Sequence, residues 1–241
     1  MMPCAEASGR SVREVGGHLW RPAGAVYLLV SLGGLAAGLF PEAILPAHVS
    51  VRSLPVLAAL ASAQAGFILL FGPAIIGRRR DLAVPTYVGM VRLAGAAEIL
   101  SWVAAGAPFY LAAAWFSDAT FPDVARSLMY LAGVAVAAWG LGAWAGAGRF
   151  GAAVATLVAL SAGLGLPALG YLLAEFANAG PWAGLLWSAG PITAAFSVAA
   201  RPSGPWLPSP LWAWLLWPTA GVILALGRLL IPRPDAERTT S

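Results

Sequence analysis

Apolar residues fall in long blocks along this chain, and polar residues are confined to the short intervals between them. The blocks cover residues 23–40, 54–76, 87–116, 124–147, 150–176 and 211–231. A helix needs about 20 apolar residues to cross the hydrocarbon of a bilayer. Backbone amides in that medium must be bonded within their own segment, so blocks of this length predict helices. A seventh stretch, 182–200, is apolar but interrupted by Gly184, Gly190 and Pro191. The pattern predicts an all-α integral membrane protein with six transmembrane helices and a re-entrant or interfacial hairpin before the last one. The membrane domain is then 23–231, with an outer re-entrant region at 178–210, flanked by cytoplasmic segments 1–22 and 232–241.

Composition strengthens this reading. Of 241 residues, 60% are hydrophobic and 10% charged, and the mean hydropathy is +0.79. A soluble domain carries about 25% charged residues. Too few polar side chains are present to wet the surface of a globule, so the surface must face lipid. The basic residues are all Arg, and they are scattered through the intervals without forming a basic stripe. Nucleic acid is therefore not an expected partner, despite the net charge of +4.

Arginine placement sets the orientation, because cytoplasmic connections carry the excess of positive charge. With six spans and the N-terminus inside, Arg10, Arg13, Arg21, Arg78, Arg79, Arg80, Arg92, Arg149, Arg228, Arg233 and Arg238 lie inside. Only Arg52, Arg126 and Arg201 lie outside. If 182–200 also crossed, the split would fall to 9 against 5 of the 14. The expected protein is multi-pass, in the cell inner or plasma membrane, with both termini cytoplasmic. The first block is followed by Pro41, Glu42 and Pro46 with no small-x-small site, so it is read as a retained helix.

Chemical groups inside the blocks are sparse. Glu98 lies in the third block about 12 residues beyond its inner start, which places it roughly 18 Å deep, near the midplane. An ionised carboxylate there is costly, so it must be protonated, paired or facing water. It is read either as part of a substrate or proton path or as an acid hydrogen-bonded across helices, with Gln64 or Ser62 as partners. Glu175 ends the fifth block, as a solvated helix end or at the outer mouth of a pathway. Asp118 and Asp123 flank a short outer turn and read as solvated. Arg78, Arg79, Arg80 and Asp81 close the second block, as a lipid-headgroup anchor or as a docking loop for a cytoplasmic partner. Trp182, Trp187, Trp206, Trp212, Trp214 and Trp217 cluster near the hairpin and read mainly as an outer aromatic belt. Gly34 and Gly38, and Gly142 and Gly146, form GxxxG pairs suited to close helix contacts.

Enzyme signatures are missing. Without Lys there is no phosphate-binding GxxxxGK[ST], and no HExxH or GxSxG occurs. Cys4 stands alone, and His18 and His48 sit at block ends, so no metal site or other cofactor is expected. The chain reads as a transport subunit without its own ATPase site.

The layout resembles an ABC-2-type transporter permease, the membrane subunit of an ATP-binding-cassette exporter. The matching features are six helices with a cytoplasmic coupling segment at 77–92, a short connection at 146–150 and a broken outer region at 178–210. The phrase Leu186-Trp187-Ser188-Ala189-Gly190-Pro191-Ile192-Thr193-Ala194-Ala195 is similar to the family's stretch after the fifth span, and the last helix ends in Gly227-Arg228-Leu229-Leu230. The resemblance implies ABC ATPase subunits docking below, a second permease subunit beside this one, and a pathway supported by Glu98 and Gln64. It also implies an outer hairpin acting as gate. Two other readings compete: a non-catalytic structural or assembly subunit of a larger membrane complex, and a carrier or enzyme that uses Glu98.

Overall fold

The computed structural model of the chain describes residues 6–40, 56–81, 88–117, 119–144, 149–177, 180–199 and 211–230. All regular structure among them is helical. In chain order the helices are α1 (Glu6–Leu39), α2 (Val56–Asp81), α3 (Val88–Trp115) and α4 (Phe121–Trp144). They continue with α5 (Arg149–Leu160), α6 (Leu166–Ala177), α7 (Gly180–Ala189), α8 (Pro191–Ala199) and α9 (Leu211–Leu230).

Among the described residues, five helical stretches are long and apolar enough to cross a membrane: Pro22–Leu39, Val56–Ile76, Gly95–Trp115, Phe121–Trp144 and Ala153–Ala177. They coincide with the first five apolar blocks. The expected last span is the 20-residue α9, whose described apolar stretch, Leu215–Leu224, is shorter. The interrupted stretch forms α7 and α8, which meet at a bend of 93°. The break falls at Gly190-Pro191, where Pro191 cannot donate to continue α7 and has the fixed φ suited to starting α8.

The fifth span is one rod of two helices joined by a π-helical turn, Ser161–Gly165. Pro167 explains it. With no N–H to give to the carbonyl four residues back, the ladder loosens, and Leu166 donates to Ser161 O instead.

Polarity is distributed as lipid demands. Large apolar side chains such as Leu157, Leu164, Phe176 and Ile223 face outward, while Ser31, Gln64, Glu98, Asp123, Ser127, Ser188 and Ser197 are buried. Of the α2 and α4 stretches 56% is buried, against 22% for α1 and for α5–α6, so α2 and α4 are the centre of the bundle. α2 packs against α1, α3, α4, α5 and α8.

Glycines set the closest approaches. A Cβ on Gly38 would lie 2.6 Å from Val56 Cα, and one on Gly34 would lie 2.9 Å from Ala63 Cβ, so the first GxxxG pair seats α1 on α2. Gly142 packs on Pro73 O and Ile76 of α2, whereas its expected mate Gly146 is outside the described residues. The tightest pairing joins α4 to α9. A Cβ on Gly140 would stand 2.6 Å from Gly221 O, and one on Gly221 would stand 2.6 Å from Ala137 N. Gly133 faces Pro218 in the same seam, and Trp144 Nε1 donates to Leu224 O.

Candidate functional site

A polar layer crosses the contact of α1, α2 and α3 around Ser31, Gln64 and Gly106. Ser31 Oγ donates to the carbonyl of Tyr27 at 2.8 Å, one turn back along α1. Gln64 Nε2 of α2 donates to Ser31 Oγ at 2.8 Å, which ties the two helices together. From α3, Gly106 comes so close that a Cβ would lie 2.7 Å from Tyr27 Oη and 2.8 Å from Gln64 Nε2. Trp102, Gly106 and Tyr110 share one face of α3 at four-residue spacing. Around the layer, the Tyr27 ring stacks on Trp102 at 6.0 Å and meets Phe67 at 5.5 Å.

Glu98 lies elsewhere. Its side chain is buried, at 7% exposure. Along α3 it stands one turn from Trp102 and about 12 Å from Gly106. The neighbouring turn of α2 is fixed by Gly95 against Ile76 and by Gly72 against Ile99. Of the two partners expected for Glu98, Gln64 Nε2 donates to Ser31 Oγ and Ser62 Oγ to Ile192 O at 3.2 Å.

The other expected site residues do not join this layer. Glu175 is exposed near the end of α6. Arg78, Arg79, Arg80 and Asp81 are the last turn of α2 rather than a loop, since the helix continues to Asp81; their side chains fall outside what the structure describes. Residues 82–87 and Asp118 are also outside the described residues. The described residues contain no cluster of three His, Cys, Asp or Glu side chains able to hold a metal ion.

Asp123 is not solvated as expected. It is 4% exposed and closes the start of α4. Thr120 donates to its Oδ2 from both N, at 2.8 Å, and Oγ1, at 2.6 Å, and Arg126 pairs with Oδ1. A carboxylate three residues into the helix reaching back to the cap N–H is half of a capping box, and it also favours the positive end of the helix dipole. Asp123→Ala is expected to cost about 1 kcal/mol, read as a fall of roughly 3 °C in the midpoint of thermal unfolding in detergent.

The sequence reading missed how the α7–α8 corner is held. α7 runs antiparallel to α6, with Gly170 against Ala183 and Trp187, and the corner Gly190 against Pro167. The corner thus reaches the middle of the fifth span. There its carbonyls take donors from three different helices. Ser62 of α2 donates to Ile192 O, Tyr130 of α4 to Pro191 O at 3.2 Å, and Trp217 of α9 to Ala189 O at 3.0 Å. The Ile192 side chain fits between Gly66 of α2 and Gly163 of the π turn. Trp217, expected in an outer belt, is instead half-buried and turned to the corner, whereas Trp182 is exposed. Trp206 and the side chains of Trp212 and Trp214 fall outside the description.

These features fit one class, a multi-pass helical membrane protein with polar groups packed inward. No family model, curated protein or solved structure matches the chain.

Proposed function

We propose that this protein is the membrane-spanning permease subunit of an ABC-2-type exporter, moving its substrate with ATP hydrolysed by separate subunits. In this reading the chain has six spans and cytoplasmic ends, and α7–α8 re-enters from the outer face. The observation that carries it is the corner. α7 and α8 have 10 and 9 residues, about 15 and 14 Å of helix. With α8 turned 93° from α7, the pair falls well short of a hydrocarbon core of about 30 Å. It enters to mid-depth before the last helix, which is where the ABC-2 layout has its broken outer region. Non-regular backbone at that depth is tolerated where protein covers it, and Ser62, Tyr130 and Trp217 cover it here.

The second support is at the inner face. α2 remains helical beyond its apolar stretch, so Arg78–Asp81 extends from one of the two central helices. A push delivered there by an ATPase subunit passes along α2 to Gln64 and Ser62, hence to the polar layer and the corner. Glu98 and Gln64 support the pathway, and Glu175 stands at its outer mouth. A second permease subunit completes the transporter.

Purification in mild detergent, with identification of the accompanying chains, tests this directly. An ATPase carrying a phosphate-binding loop should copurify. Replacing Arg78, Arg79 and Arg80 together by Ala should lower its recovery roughly tenfold, as expected for lost charge pairs at an interface. Recovery of this chain without any ATPase, or with respiratory or other assembly partners, refutes the proposal.

A further inference from the structure

Four buried polar atoms in the mid-span layer have no hydrogen-bond partner: Tyr27 Oη, Gln64 Oε1, Trp102 Nε1 and Tyr110 Oη. Their residues are at most 1% exposed. Buried polar atoms are normally satisfied, and four left over in one layer of one bundle is far from the usual scatter. Three helices contribute them, and the glycine at 106 leaves the Tyr27 hydroxyl and the Gln64 amide facing bare backbone.

The set has a definite chemistry. Trp102 Nε1 only donates, Gln64 Oε1 only accepts, and the two tyrosine hydroxyls do either. The charged side chain nearest along α3, Glu98, stands about 12 Å from Gly106, so an ion between Tyr27 and Gln64 would lose its hydration shell without a counter-charge beside it. The surrounding faces of Tyr27, Phe67 and Trp102 are aromatic. We propose that this layer is a binding site for water, holding ordered molecules in the middle of the α1–α2–α3 contact. A water molecule offers two donors and two acceptors, which is the complement of the four atoms, and buried waters typically make about three such bonds. Nothing in this chemistry depends on which substrate the protein moves or on whether an ATPase drives it.

Hydroxyl-radical footprinting by a short X-ray pulse reads the site, because radicals form from the water that is present and add to the nearest ring. The full-length protein in detergent micelles is irradiated, and oxygen uptake is measured for each tyrosine. Tyr130 is the internal control, since it is equally buried, at 2% exposure, with its hydroxyl bonded to Pro191 O. Tyr27 and Tyr110 are expected to be labelled roughly fivefold faster than Tyr130, as ordered internal water requires. After rapid mixing into water of heavy oxygen, the label at Tyr27 should stay light-oxygen longer than that at exposed Tyr171. Gly106→Ala pushes a methyl onto the Tyr27 hydroxyl, and Tyr110→Phe removes one partner. In a variant that keeps its gel-filtration profile, Tyr27 labelling should fall to the level of Tyr130. Equal labelling of Tyr27, Tyr110 and Tyr130 overturns the proposal. So does immediate heavy-oxygen labelling, which marks an open aqueous crevice, and so does labelling that both variants leave unchanged.

Discussion

Gly221→Leu should be the most damaging single substitution in the described bundle. A Cβ at that position meets Ala137 N and Val136 C at 2.6 Å, and these are backbone atoms that no rotamer change can move aside. The added side chain must push α9 off α4. α9 would then lose Gly140 against the Gly221 carbonyl and Pro218 against Gly133. Overpacking typically costs 1–3 kcal/mol where side chains can shift, so a value of about 3 kcal/mol or more is expected here, or roughly 10 °C of thermal midpoint. Thermal unfolding and gel filtration of the purified variant check it. Gly24→Leu is the matched control, since its Cβ position has no neighbour within 4 Å; it should behave like the parent. A parent-like Gly221→Leu would show that the α4–α9 seam does not hold the fold.

The second large effect is expected at the α7–α8 corner. Ser62→Ala, Tyr130→Phe and Trp217→Phe each remove one donor while keeping most of the side-chain volume. A single hydrogen bond contributes about 1 kcal/mol net, so each change alone should be mild. Together they leave three buried carbonyls at the corner without their side-chain donors, and the expected loss of local stability is about 3 kcal/mol. Amide hydrogen exchange over 186–199 should then accelerate by roughly a hundredfold while exchange in α3 stays unchanged, the signature of local opening. Equal acceleration throughout the bundle would instead mean that the corner is not an independent unit. If the pair gates an export path, the triple variant should also leak substrate.

Much of the fold was legible in the sequence because lipid imposes a coarse rule: uninterrupted apolar runs become helices. The first five runs each contain a long apolar helical stretch, and the Gly190-Pro191 dipeptide marked the break in the interrupted one. The first GxxxG pair also pointed to a true contact. The α4–α9 seam was invisible, since Gly133, Gly140 and Gly221 do not form a four-residue pair and stand among 28 glycines. Only the register between helices singles them out. The polar layer was half legible. Gln64 stood out as an amide in an apolar run, but its partner Ser31 lies on another helix, and no local pattern links the two. Glu98 stood out as well, as the lone carboxylate inside its apolar run, and its side chain is buried. Asp123 was misjudged. Its position beside a turn suggested hydration, whereas the bonds from Thr120 and Arg126 fold the carboxylate onto the end of α4.

That the corner draws its donors from α2, α4 and α9 has a consequence for biosynthesis. Ser62 and Tyr130 enter the bilayer ahead of the residues they bind, whereas Trp217 follows them. A nascent chain halted before α9 would carry Ala189 with its carbonyl unclaimed by indole, so this turn can be locked only after α9 has been delivered.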